Sequence, residues 1–353
     1  MTAESLTTPL SPTQDSREGL PLAVTGATGF LGRRTAAALV AAGHRIRCLL
    51  RRSSDEQGLL NAVSCPELVE IVRVDLRQAD DVRAALTGCR TLLHLAAGLS
   101  GSASTLFASG AVATRKLLHA AADAGVHRVV LISSLGVYEA SSLKRGEEQT
   151  EQTSVDRRAA ERDPYSYSKI VQERVARDVA AARALELVVL RPGVIFGEGR
   201  PVIASRAGLS LGGLLVQMGG RQRMPYTFVE NCADAIAAAA VSPEAAGETI
   251  NILDDDLPTA SQLVRMVRKL GRQVRRVWIP GPLVPTACGL YHCYSRLSGG
   301  QLPPVLTAYR ARSMWKPVRY SNAKAKRVLR WTPRVSFEEA VRRTVAAEIA
   351  ASS

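Results

Sequence analysis

Acidic residues are missing from one long stretch of this chain. Between Asp256 and Glu338 there is none, while sixteen Lys and Arg fall there, more than the net charge of +14 carried by all 353 residues. Such a block is either a solvated basic face or an attraction for something anionic: a phosphorylated substrate, an anionic membrane surface or nucleic acid. Nucleic acid lacks a supporting motif and is not expected. Long apolar runs are missing too, since no segment approaches the roughly 18 uninterrupted apolar residues of a spanning helix. Residues 1–19 (MTAESLTTPLSPTQDSREG) hold no apolar stretch of signal-peptide length, and their Ser, Thr and Pro predict a disordered tail. Both absences point to a cytoplasmic protein, at most peripheral at a membrane. Cysteine is sparse, at 48, 65, 89, 232, 288 and 293, and the spacings fit no zinc framework. Cys288 and Cys293 with His292 between them invite a metal reading, but reduced thiols and no metal are expected.

What is present is an alternation. Apolar runs rich in Val, Ile and Leu cover 22–26, 45–50, 69–76, 91–97, 128–133 and 185–192. Helical patterns near 30–42, 78–88, 104–124 and 165–184 separate them. Continuous apolar strands alternating with helices imply a parallel sheet covered on both faces. Six such units predict an α/β fold with a doubly wound parallel (Rossmann) sheet over residues 20–192. Gly43 and Gly125 fall where two of the helices should stop. After residue 193 the rhythm breaks into Pro- and Gly-rich segments, with helices near 233–241, 259–271 and 336–350. Residues 193–350 are expected to form mostly a smaller, irregular substrate-binding domain. The stretch 226–252 could return to the Rossmann core.

The first run ends in TGATGFLG, directly before a helix. Glycines there permit a tight turn and let backbone amides approach a pyrophosphate at the helix N-terminus. A dinucleotide is thus expected on Gly26, Thr28, Gly29, Phe30, Leu31 and Gly32. The second run selects between cofactors: an acid at its end would hold the ribose 2′-hydroxyl of NAD, whereas arginine accommodates the 2′-phosphate of NADP. Here the acidic position reads as Leu50, followed by Arg51 and Arg52, with Asp55 and Glu56 facing solvent. NADP(H) is therefore favoured over NAD(H). Asp75 and Leu76 can flank an adenine ring, and Leu95, Ala96 and Ala97 let the dinucleotide lie close. Farther on, DPYSYSK offers two tyrosines to one lysine. Residues four apart on a helix share a face, so Tyr165 stands beside Lys169 and Tyr167 does not.

In order and spacing, TGATGFLG, VDL, LHLAAG, LISS followed by VY, Tyr165-x-x-x-Lys169 and LRPGVIFG resemble the extended short-chain dehydrogenase/reductase (NAD(P)-dependent epimerase/dehydratase) family over residues 21 to about 345. The resemblance implies that Tyr165 is the general acid/base and that Ser134 orients the substrate oxygen. Lys169 would hydrogen-bond the nicotinamide ribose, and cofactor contacts would extend over Tyr165, Lys169, Pro192, Gly193 and Val194. It also implies a homodimer through the helices near 104–124 and 165–184. Two departures stand out. Gly110 replaces an asparagine that commonly supports the active-site hydrogen bonds, so a substitute or water would have to serve. Val194 stands where nucleotide-sugar enzymes carry a diphosphate-gripping asparagine, and the LRP form is more like the hydroxysteroid-dehydrogenase-like and flavonol-reductase-like branches.

The expected function is an NADP(H)-dependent oxidoreductase passing hydride to or from a ketone or secondary alcohol carbon. The alternative is a nucleotide-sugar epimerase or reductase serving surface-polysaccharide synthesis, with Arg191, Arg221 and Arg223 as cations for a diphosphate. A non-catalytic cofactor-binding regulatory protein is the third reading. Residues 279–294 could line an apolar pocket or form an amphipathic surface helix.

Overall fold

The apolar runs pair as the centre of a seven-stranded parallel sheet in the computed structural model, which describes residues 19–76, 78–96, 102–299, 301 and 306–351. In chain order the first six strands of this sheet are β1 (Leu22–Thr25), β2 (Ile46–Leu50), β3 (Val69–Arg73), β4 (Thr91–His94), β5 (Arg128–Ile132) and β6 (Glu186–Pro192). Beyond residue 193 come β7 (Val194–Phe196), β8 (Gly208–Leu211), β9 (Leu214–Met218), β10 (Tyr226–Phe228), β11 (Thr249–Ile252) and β12 (Arg275–Ile279). The large sheet runs β11-β6-β5-β4-β1-β2-β3. Its seventh strand, β11, therefore comes from the stretch flagged as a possible return to the core.

Burial on both faces explains the unbroken apolar runs. Every residue of β1 and β4 is buried, whereas edge strand β3 is only partly covered. Alternate residues face opposite layers. Val24, Cys48, Leu93, Val130 and Leu190 face one layer with α1 (Phe30–Ala41), while Ala23, Leu49, Leu92, Leu131 and Val189 face the other. The second layer holds α2 (Ala79–Leu86), α3 (Ala113–Asp123) and α4 (Pro164–Ala182). Helix α5 (Val229–Val241) packs against α1 in the first layer and starts four residues before the expected 233. The helix expected over 104–124 is interrupted by a π turn at Ala108–Val112 that contains Gly110.

The remainder packs around two smaller cores. Phe196 meets Tyr226, Phe228 and Phe337 at ring-centroid distances of 5.2, 5.6 and 5.6 Å. Helices α6 (Ala260–Lys269) and, farther on, the C-terminal Phe337–Ala350 close this cluster. The three-stranded sheet β12-β9-β8 supports a second cluster with α7 (Val284–Leu297) and α8 (Ala308–Trp315). Of residues 279–294, those from Val284 onward form a helix with one exposed face. Val284 and Cys288 point inward, while Leu290, Tyr294 and Leu297 are more than half exposed. Among the described residues no cluster of His, Cys, Asp and Glu could hold a metal ion.

Candidate active site

The strand order reverses between β1 and β4, the switch point at whose carboxyl ends sheets of this kind form their ligand crevice. Gly26 has φ +75, and a Cβ on it would lie 2.8 Å from the Ala96 amide nitrogen. A Cβ on Gly32 would lie 2.0 Å from the Gly26 carbonyl oxygen. Glycine at both places lets α1 begin hard against the strand end. Gly29 caps α1 without any side-chain hydrogen bond, so the first-turn amides and their partial positive charge remain for an anion. These residues fit a dinucleotide pyrophosphate. Thr28 is half-buried beside them, and Phe30 lies under the guanidinium groups of Arg34 and Arg200, 5.0 and 4.9 Å from its ring centroid. Leu31 packs its side chain into the core, leaving only its backbone to face a ligand.

At the end of β2 two neighbouring side chains part. Leu50, which stands at the acidic position, is 2% exposed and packs into the core. Arg51 is the first residue beyond the strand that faces out, and among the described residues neither its guanidinium nor that of Arg52 has a hydrogen-bond or ionic partner. Asp55 is exposed but not idle. It caps the short helix Glu56–Leu60 and pairs with Arg33 at 2.6 Å. Arg33 also donates to the Thr28 carbonyl at 3.1 Å, which puts a third guanidinium beside the glycine loop. Sequence reasoning missed it, although its place directly after Gly32 was a usable signal. Asp75, Leu76, Leu95 and Ala96 are half-buried along the same edge, while Ala97 lies outside the described residues.

Across the crevice, α4 carries the candidate catalytic pair. Asp163 caps the helix by accepting from the Ser166 amide at 2.7 Å, and Pro164 occupies its first position. Tyr165 is half-buried, Lys169 is buried and Tyr167 is 44% exposed, so the helix separates the two tyrosines as the spacing predicts. Burial pushes the Tyr165 phenol above its ordinary range, and a hydrogen bond with Ser134 draws it back. Ser134 Oγ also accepts from the Gly136 amide at 3.0 Å, which aims the hydroxyl. Lys169 is pushed down to about 8 by burial, against which Glu173 holds it up. Pro192 is buried, and Gly193 and Val194 are half-buried where β6 passes into β7. Val194 N donates to the carbonyl of Pro225, just before β10, at 2.6 Å.

The lysine ends a buried polar chain that crosses four elements. Its Nζ donates to the Ile132 carbonyl and to Gln172 Oε1, both at 2.9 Å. Gln172 Nε2 donates to Thr114 Oγ1 at 2.9 Å, and Thr114 meets His94 Nε2 at 2.9 Å. His94 Nδ1 then meets Thr25 Oγ1 at 2.8 Å. Burial, with the Lys169 charge adding to it, pushes His94 down to about 3, so the ring is neutral at working pH. Arg191 is not available to a diphosphate. It lies within β6, is 4% exposed and binds both oxygens of buried Glu173, at 2.9 and 2.6 Å. Arg221 and Arg223 are exposed, and Arg223 donates to the Leu257 carbonyl at 2.6 Å.

A model of the NAD dependent epimerase/dehydratase family matches residues 22–252. The chain belongs to that family. Within it, cinnamoyl-CoA reductase 1 of Oryza sativa subsp. japonica is 30% identical over 70% of this chain and 75% of the relative. The decarboxylating sterol-4-alpha-carboxylate 3-dehydrogenase of Mus musculus is 27% identical over 94% and 92% of the two chains. The solved structure of gox2253 superposes with a TM-score of 0.76 at 24% identity, covering 94% of this chain and 98% of that one. UDP-glucuronic acid 4-epimerase from Bacillus cereus, solved with NAD, superposes at 0.70 with 18% identity over 94% and 100%. These two likenesses support the shared fold. Membership makes the chain an NAD(P)-dependent enzyme with a pyridine-nucleotide cofactor and a small-molecule substrate. Among the described residues no helix is long and apolar enough to cross a membrane.

Proposed function

We propose that this enzyme is an NADP(H)-dependent oxidoreductase acting at a ketone or secondary alcohol carbon. The observation that carries the proposal is half-buried Tyr165 four residues from buried Lys169, on a helix facing the glycine crevice. When bound, a reduced nicotinamide supplies hydride to the carbonyl carbon. Ser134 donates a hydrogen bond to the carbonyl oxygen and orients it. Tyr165 gives its phenolic proton to that oxygen as the alcohol forms, and in the reverse direction it takes the proton back. The Lys169 ammonium favours the phenolate by proximity, and moving a phenol from about 10 toward 7 requires roughly 4 kcal/mol of such preference.

NADP(H) over NAD(H) is supported by Arg51 and Arg52, which have no side-chain partner among the described residues. The ketone reading is supported by relatives named as a sterol dehydrogenase and as the 2-alkyl-3-oxoalkanoate reductase of Shewanella oneidensis. The nucleotide-sugar alternative loses Arg191 to Glu173. In this proposal residues beyond 193, other than β11 and α5, shape the substrate side. Exposed Phe107, Val112 and Tyr167 suit a homodimer through the neighbouring helices. The outward row on α7 and the acid-free basic stretch suit an anionic membrane surface. Turnover with NADPH on hydrophobic ketones, acyl-CoA thioesters and UDP-sugars is the direct test. Conversion of a UDP-sugar without net change in cofactor, and of no ketone, would overturn the proposal.

A further inference from the structure

We propose that Gln172 is the positioning residue of Lys169, holding the ammonium in place from its own helix, which packs against a π turn where Gly110 supplies no side chain. This rests on the catalytic reading of Lys169 given above. An ammonium has three N–H donors and needs fixed acceptors when it is buried. Two of the three are directed, to the Ile132 carbonyl and Gln172 Oε1, each at 2.9 Å. Among the described residues the third meets no acceptor, which leaves it for a bound group. Of the two acceptors, the carbonyl is fixed by the end of β5, so the side chain of Gln172 sets the second direction.

Gln172 is itself over-determined. It is 1% exposed, three residues along α4 from Lys169, and its Nε2 is anchored on Thr114 at 2.9 Å. Thr114 is held in turn by neutral His94, and His94 by Thr25, which also accepts the Ala96 amide at 3.3 Å. The amide orientation of Gln172 follows from its partners. Its oxygen must face the ammonium, which only donates, and its nitrogen must face the hydroxyl. The chain thus links the catalytic lysine to the strand ends that flank the glycine crevice. Gly110 lies in the π turn packed against α4, is buried, and a Cβ on it would meet nothing within 4 Å. No side chain from that turn competes for Lys169, and Gln172 does the holding.

The charged and titratable groups around the ammonium are few. Glu173 and Tyr165 share its helix, His94 faces it from β4, and Arg191 from β6 is bound to Glu173. Removing a hydrogen bond to the charged form lowers a lysine pKa, and adding a carboxylate raises it. The test is NMR titration of the lysine side chains in the cofactor-free protein, with assignment by Lys169→Arg. Gln172→Leu should shift the Lys169 midpoint down by about one unit, the equivalent of one charge-assisted hydrogen bond. Gln172→Glu should shift it up. Thr114→Val, which breaks the next link, should shift it down by less. In turnover, Gln172→Leu should lower kcat at least tenfold with KM within about threefold, its alkaline limb moving the same way as the NMR midpoint. Folding is checked by melting temperature, and Gln172→Glu keeps the test open if the leucine variant unfolds. An unchanged midpoint in folded Gln172→Leu and Gln172→Glu overturns the assignment, whether or not a substrate has been found. If the midpoints shift as expected but no substrate is turned over, only the catalytic reading fails.

Discussion

Cofactor choice turns on three arginines and one carboxylate at the ends of α1 and β2. Arg51 and Arg52 are exposed and unpartnered among the described residues, while Arg33 is already held by Asp55 at 2.6 Å and by the Thr28 carbonyl. A 2′-phosphate would therefore gain its new contacts from Arg51 and Arg52. One charge-assisted contact is worth about 1.5–3 kcal/mol, and exposure to water places this one at the low end. NADPH should then bind at least about tenfold more tightly than NADH, and Arg51→Ala should remove most of that margin by weakening NADPH alone. Leu50→Asp would not switch preference, because Leu50 faces the core and the variant would bury a carboxylate. Arg51→Asp is the substitution that should favour NADH.

Asp55 decides between the two readings of this corner. If it serves only Arg33, Asp55→Asn frees a third guanidinium and tightens NADPH binding with NADH little changed. If it were instead the acid that holds an NAD ribose, the same variant would weaken NADH. Calorimetry with both reduced cofactors on wild type, Arg51→Ala and Asp55→Asn reads all of this. Equal affinities in the wild type, or weakened NADH in Asp55→Asn, would refute the NADP assignment.

Tyr165→Phe should abolish turnover and leave cofactor affinity within a few-fold, whereas Tyr167→Phe should be nearly silent; steady-state rates and calorimetry on both variants check this, and the reverse pattern would defeat the helix-face reasoning. Glu173→Ala should destabilise the protein by about 3–5 kcal/mol, since it leaves the Arg191 guanidinium buried without its carboxylate; a denaturant midpoint within error of wild type would show that water replaces the pair. Flotation with anionic and neutral vesicles should show binding to the anionic ones alone, weakening steeply from low to moderate salt; no binding at low salt would return the basic stretch to a solvated face.

The parts of this fold that were legible in the sequence are those whose signal is local. Six strands could be read because most of the sheet is covered on both faces and the runs are dominated by apolar residues, even at the partly covered edge strand β3. Tyr165 could be told from Tyr167 because a helix turns a spacing of four into adjacency. Burial on both faces also hid the register at a strand end. In IRCLL only Arg47 is polar, so the sequence could not say which way Leu50 faces; its burial shows that an acid placed there would enter the core, while Arg51 stays exposed. The buried pairs were hidden for a different reason. Arg191 reads as a loop cation until Glu173, eighteen positions away, is placed beside it. Gln172 reads as an ordinary polar helix residue because its meaning lies in Thr114, 58 positions away, and beyond that in His94 and Thr25. A buried polar group acquires its role from whatever satisfies it, and those partners arrive from other elements only when the sheet brings their strand ends together. The departure at Gly110 was a local sign that a substitute or water would have to serve there, and it pointed to the need without pointing to the residue.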